Sequence, residues 1–141
     1  MLDIKFVREN LDDVEKAMKS RNADFDREKF ASLDEDRRKF ISQEEELQAK
    51  RNSASKQIGA LMGQGKKDEA EVAKQEVREI NEKLEEASAK RAEVEGKLKT
   101  LMMSVPNMPH ESTPVGADEN DNPEIRKWGD PTKFDFEPKA H

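Results

Sequence analysis

Two stretches of the chain repeat apolar residues at every seventh position, and they meet in mirror order across a pair of glycines. In the first, Leu33, Phe40, Leu47, Ala54 and Leu61 form one series, and Phe30, Arg37, Glu44, Arg51 and Ile58 interleave with it. The second carries Ala70, Val77, Leu84, Arg91 and Leu98, interleaved with Ala73, Ile80, Ala87, Val94 and Leu101. Alternating steps of three and four are the sign of a coiled-coil strand. In an antiparallel hairpin the numbers of facing residues add to a constant. If Leu61 faces Ala70, the same rule pairs Ile58 with Ala73, Ala54 with Val77, Arg51 with Ile80 and Leu47 with Leu84. It goes on to pair Glu44 with Ala87, Phe40 with Arg91, Arg37 with Val94, Leu33 with Leu98 and Phe30 with Leu101. Unrelated amphipathic helices have no reason to register in this way. The pattern predicts an all-α fold whose main feature is a long antiparallel two-helix coiled-coil hairpin, turning near residues 63–68 and projecting roughly 45 Å.

The rest of the chain is arranged around this hairpin. All six prolines lie beyond residue 105, so helices are permitted before that point and broken after it. Ile4, Val7, Leu11, Val14 and Met18 share a face of a short N-terminal helical segment, with Asn10 and Asp13 placed to cap a restart. Residues 22–26 read as a turn. Ser32 with Glu35 forms a capping box for the first long helix, and Asp26 is an equal candidate for its start. Asp68 stands where it would cap the second. Gly63 and Gly65 supply backbone freedom for the reversal. Gly96 costs helix stability, which close packing near the base would explain. Glu44 and Arg91 lie one layer apart and should meet, while Arg37 and Arg51 can extend out of the seam along their stems. Met102 and Met103 read as helix-base packing. Residues 105–141 form an extended Pro-rich tail with 4 basic and 8 acidic residues, ending in Trp128 and a strand-like Phe134-Asp-Phe-Glu alternation.

Charged residues make up 41% of the chain and hydrophobic ones only 33%, which suits helices that bury a narrow stripe. The formal charge of −6 argues against a polybasic DNA binder. With no cysteine, disulfides, Cys-based zinc sites and a Cys nucleophile are excluded. No apolar run is long enough to span a membrane, and charges within the first twenty residues break any signal-peptide core. A cytoplasmic protein is expected. His110-Glu111 is no metalloprotease motif, and the other histidine is His141, so no metal site is expected. Gly63-Gln-Gly-Lys66 lacks the spacing of a phosphate-binding loop. Carboxylates are many, but none forms an acid–base pair or sits beside a nucleophile, so the chain carries no catalytic residue.

Local charge is more telling than total charge. From Leu47 to Lys67 there are five basic residues, Lys50, Arg51, Lys56, Lys66 and Lys67, and no acidic one. Lys74 and Arg78 return to the same end, mixed with Glu71, Glu76 and Glu79. Asn52, Ser53 and Ser55 lie among these cations, with Asn52 and Ser55 the better candidates to contact phosphate and ribose. The functional reading is a tip that grips an RNA backbone by shape, since no aromatic is present for base stacking. The competing reading is the solvated surface usual for a coiled coil.

Several motifs resemble seryl-tRNA synthetases. These are Met1-Leu-Asp-Ile-Lys-Phe-Val-Arg-Glu-Asn10, Leu33-Asp-Glu-Asp-Arg-Arg38 and Arg51-Asn-Ser-Ala-Ser-Lys-Gln-Ile-Gly59. The most specific is Val105-Pro-Asn-Met-Pro-His-Glu-Ser-Thr-Pro-Val-Gly116, followed by Asp121-Asn122, Arg126-Lys-Trp-Gly129 and Phe134-Asp-Phe-Glu-Pro-Lys139. Thr113 and Pro123 depart from the family pattern, both within the tail. The resemblance implies that residues 1–104 are a tRNA-binding arm and residues 105–141 the connection to a class II catalytic domain, absent from this sequence. It implies a homodimeric parent enzyme that ligates serine to tRNA with ATP and Mg²⁺ through seryl-adenylate. One subunit's arm holds the long variable arm of serine tRNA and guides the acceptor end to the partner's active site. Some family members also serve selenocysteine tRNA. The alternative is a protein-interaction coiled coil, such as a prefoldin-like arm or a scaffold spacer, which would leave the tail motifs unexplained.

Overall fold

A computed structural model describes residues 1–139; the terminal His141 named above lies outside them. Four helices make the molecule: α1 (Ile4–Glu9), α2 (Leu11–Ser20), α3 (Arg27–Gly63) and α4 (Lys67–Ser104). Helices α3 and α4 run antiparallel against each other as the hairpin, and each is about 55 Å long. Their seam is where the heptads place it. Phe30, Ala54, Ala70, Ala73, Ala87, Val94 and Leu98 are buried, and Leu33, Phe40, Leu47, Ile58, Val77, Ile80 and Leu84 are half-buried. In the outer layers the buried member is an alanine, Ala54, Ala70 or Ala73, set against a half-buried Val77, Leu61 or Ile58, and at the base the buried members are large.

The main apolar core lies at the base. Val7, Val14, Met18, Phe30, Leu98, Met102 and Val105 form it, with Ile4, Leu11, Phe25, Leu33 and Met108 packed around them. Helices α1 and α2 are therefore a cap over the open end of the hairpin, and their shared apolar face is the one the sequence spacing indicates. Two charged clasps orient the cap. Arg8 donates both to Oδ2 and to Oδ1 of Asp34, at 2.5 and 2.7 Å, and Asp34 is only 3% exposed. Arg27 reaches back from α3 to Asp12 and Glu15 of α2.

Several local expectations are corrected. Helix α3 begins at Arg27 with Asp26 as its cap, accepting from the Lys29 amide at 3.0 Å, so Ser32 lies inside the helix. Asn10 does not cap α2 through its side chain; its Nδ2 donates to the Phe6 carbonyl and closes α1 instead. Helix α4 starts before Asp68, which sits in its first turn and favours the helix dipole without capping it. Met102 is fully buried but Met103 is 70% exposed, because consecutive helical residues point about 100° apart. Gly96 has open space where a Cβ would stand, so close packing does not explain it.

At the reversal only Gly65 adopts positive φ, +75°, while Gly63 is helical. The Lys66 amide donates to the Leu61 carbonyl and the Gly65 amide to that of Met62, which is the Schellman closure of a helix end. Gly65 is the residue that this closure needs to be achiral.

The tail is not uniformly extended. Val105 is buried and Met108 half-buried against the base core. Arg21 donates to the Asn107 carbonyl, and Asn22 donates to that of Gly116 at 3.3 Å. A Cβ on Gly116 would fall 2.3 Å from that of Asp121, whose carboxylate accepts from the Ala117 amide. Beyond a short 3₁₀ turn at Glu119–Asp121 the described tail lies exposed. The alternation at Phe134 does not become a strand: no strand is present among the described residues, and a lone extended segment has no ladder to join. Phe134 and Phe136 stack on each other at 5.1 Å, and Trp128 is 93% exposed.

Midway along the arm the seam turns polar. Arg91 donates to Glu44 at 2.8 Å and to Glu95 at 3.1 Å, and Arg37 donates to the same Glu95 oxygen at 3.1 Å. Glu44 therefore meets Arg91 as the layer spacing requires, and Arg37 ends on a carboxylate at the seam's edge rather than in solvent. Burial works to raise the Glu95 carboxyl, but the hydrogen bonds and charge of Arg91 and Arg37 outweigh it and hold it below the ordinary 4.5. A depressed folded value contributes stability above 4.5 that is lost as pH falls through it. The melting temperature of the chain should thus fall as pH drops below about 4. Glu95→Gln should melt lower at neutral pH and show a smaller acid-induced drop, followed by helical circular dichroism. At the turn, Gly65→Ala should cost about 1–2 kcal/mol, since an alanine is forced into left-handed backbone. Gly63→Ala should be neutral or gain up to about 1 kcal/mol. Urea denaturation of the two variants distinguishes them.

Candidate nucleic-acid interface

The far end of the hairpin gathers the cations expected there, and the heptad register sorts them by side. On one side of the seam stand the residues just after one seam series: Asp34, Ile41, Gln48 and Ser55 on α3, and Lys74, Asn81, Ser88, Glu95 and Met102 on α4. Helix α1 marks this side at the base, through Arg8 on Asp34 and through Ile4, which borders the same hollow as Glu95 and Met102. On the opposite side stand the residues just before the other series: Gln43, Lys50 and Gln57 on α3, and Glu69, Glu76, Lys83 and Lys90 on α4. Gln43, Lys50, Lys83 and Lys90 line a shallow groove there together with Glu46 and Glu86.

The nine residues singled out by sequence do not form one cluster. Ser55 and Lys74 flank the seam on the α1 side, with Asn52 and Arg78 bordering the same side one turn away in the register. Lys50 lies on the opposite side. Lys56 points outward from α3, away from α4. Arg51 is half-buried at a seam position rather than free on the surface. Lys66 and Lys67 sit at the turn itself, where α4 begins.

Pairing sorts the arginines along the arm. Towards the base, Arg8, Arg27, Arg37 and Arg91 are each bound to a carboxylate. Lys66 and Lys74 are held by Glu69 and Glu71 at 3.3 and 2.9 Å, and Lys74 keeps the Glu71 carboxyl below its usual range. Among the described residues, Lys50, Arg51, Lys56, Lys67 and Arg78 form no ion pair within 4.0 Å. The outer part of the arm thus presents cations with no internal partner on a slender, stiff support. Lys83 and Lys90 were not singled out by sequence, because the glutamates interleaved on α4 hide any local excess of charge, and a charge count cannot point to the neutral Gln48, Asn81 and Ser88. Sorting by heptad flank would have found them.

No group of three or more His, Asp or Glu converges to hold a metal ion among the described residues. Nor is any helix among them long and apolar enough to cross a membrane.

A helical hairpin seated on a small helical head, with cations gathered at its far end, defines a projecting coiled-coil arm. Residues 1–109 match the seryl-tRNA synthetase N-terminal domain, and the chain belongs to that family. Over its whole length it is 48% identical to a serine–tRNA ligase of Neisseria meningitidis serogroup B and 46% identical to those of Delftia acidovorans and Burkholderia cenocepacia. It spans about a third of the length of these curated relatives, 33% of the first two and 32% of the last.

Proposed function

We propose that this chain is the tRNA-gripping arm of a serine–tRNA ligase. In this reading the outer part of the hairpin lies on the phosphate backbone of the long variable arm of serine tRNA. Recognition is by the shape of the RNA rather than by base edges. The observation that supports it most is the contrast between the arginines near the base, Arg8, Arg27, Arg37 and Arg91, each bound to a carboxylate, and those of the outer arm, Arg51 and Arg78, which form no ion pair and stand beside the equally unpaired Lys50, Lys56 and Lys67. A phosphate backbone that meets such cations releases its own condensed counterions, and the gain is entropic. Residues 1–104 are the gripping unit, and the length of the hairpin sets how far from its base the RNA is held. Residues 105–141 connect it to the catalytic part.

The whole enzyme, in the same reading, is a cytoplasmic homodimer that joins serine to tRNA. The arm of one subunit presents the acceptor end to the active site of the other, and selenocysteine tRNA is a second substrate in some members. ATP and Mg²⁺ would serve the activation of serine as seryl-adenylate. The residues of this chain do not fit them, since its carboxylates are spread over helix surfaces with no convergent group among the described residues. Both are assigned to the part of the relatives that this chain does not span.

The test is charge reversal at exposed, unpaired positions. The triple variant Lys56→Glu, Lys67→Glu, Arg78→Glu should bind serine tRNA at least about tenfold more weakly, with a salt slope shallower by about one per lost phosphate contact. Filter binding across a salt series reads both, and far-ultraviolet circular dichroism should be unchanged. Unaltered affinity and slope would remove the tip from the interface.

A further inference from the structure

Resting on that reading, we infer that the RNA lies along one side of the arm only, the side that α1 occupies at the base, and that Gln48, Asn81 and Ser88 carry the contact inward from the tip. From the turn to Ser88 this side runs roughly 30 Å. The positions that flank the seam along it are Gln48, Ser55, Lys74, Asn81 and Ser88, and none is a carboxylate. The next flanking residue inward, Glu95, is already held by Arg37 and Arg91.

The opposite side is electrostatically contested over the same length. Glu69 and Glu76 flank the seam in its outer part. Further in, the lysines at 50, 83 and 90 share their groove with Glu46 and Glu86. A phosphate brought to those lysines would also meet two carboxylates at close range, where like charges repel even through water. On the α1 side the positions that flank the seam carry no acid; in the next row out Glu71 is bonded to Lys74, and Glu45 and Glu85 stand one heptad inward of Asn52 and Arg78.

The neutral groups add a chemical reason. An amide or a hydroxyl both donates and accepts. A ribose 2′-hydroxyl does the same, and it is the group by which RNA differs from DNA at the backbone. Gln48, Ser55 and Ser88 are exposed and Asn81 is half-buried beside them. A row of such groups framed by Lys74 and Arg78 suits a ribose-phosphate backbone better than alternating lysine and glutamate do.

Two variants of equal added charge test the sidedness. Ser55→Glu with Ser88→Glu places two carboxylates on the α1 side, and Gln43→Glu with Gln57→Glu places two on the other. All four positions are exposed on helix surface, and glutamate is a good helix former. In filter binding of the 141-residue chain to serine tRNA, the first variant should lose about tenfold or more and the second less than about twofold. Ser55→Lys with Ser88→Lys should bind more tightly, an effect that unfolding cannot mimic. Equal losses in the two glutamate variants, a larger loss in the second, or no gain from the lysines would overturn the one-sided placement while leaving the RNA reading intact. Failure of the unaltered chain to bind would overturn the RNA reading, and this inference with it.

Discussion

The hairpin depends on Glu44 finding Arg91. A two-helix seam tolerates sliding, because one layer of leucines and alanines resembles the next. Glu44 does not tolerate it. Its side chain is only 12% exposed, and one of its oxygens, Oε1, already lacks a partner. Slipped by one heptad one way, it would face Ile80 in place of Ala87, with Arg91 carried out of reach opposite Leu33; slipped the other way, it would face Val94, with Arg91 opposite Leu47 on the other side of its layer. A carboxylate buried without its cation costs several kcal/mol, on the order of 3–5. The polar layer adds little to net stability, yet it penalises the slip that strands Glu44 from Arg91, and the Schellman closure at Gly65 fixes the rest of the register. The turn, the seam and the position of every surface cation follow from that register.

Taper is the second organising feature. Phe30, Leu98 and Met102 fill the base, where α1 and α2 close over them, while each of the outermost layers sets one buried alanine, Ala54, Ala70 or Ala73, against one larger half-buried residue. Alanines let the two helices approach and leave little apolar surface at the far end. The space around a slender end is open to charged side chains, and Lys50, Lys56, Lys67 and Arg78 stand there exposed. At the broad end the cations are used differently. Arg8 and Arg27 fasten the cap helices to α3, so their charge is spent inside the molecule.

Most of the arm was legible in the sequence because its determinants are periodic and local. The seven-residue repeat gives helix, face and register together, and the constant sum of facing positions gives direction. What could not be read depends on contacts between distant residues. Asp34 looks like any exposed acid on a helix until α1 brings Arg8 to it, 26 residues away. The folding of Val105 and Met108 onto the base was hidden by their proline-rich setting, which reads as linker. Which glycine takes the left-handed conformation is set by where α3 stops, a one-residue matter that composition does not resolve. The candidate interface was drawn from charge density along the chain, which points to one end of the arm. It could not separate the two sides, because residues neighbouring in sequence point to different faces.

The thinness of the seam has a consequence for how the molecule opens. Each layer of the outer hairpin touches only the layers beside it, with no third element to hold it shut. Local unfolding should therefore begin at the glycine end and travel inward. Amide protons near residue 65 would exchange with solvent soonest, and those flanking the Arg91 cluster would mark the first barrier. The end proposed to meet RNA is then also the end that breathes, and a phosphate chain bridging α3 and α4 would close it, tightening the arm at the moment of contact.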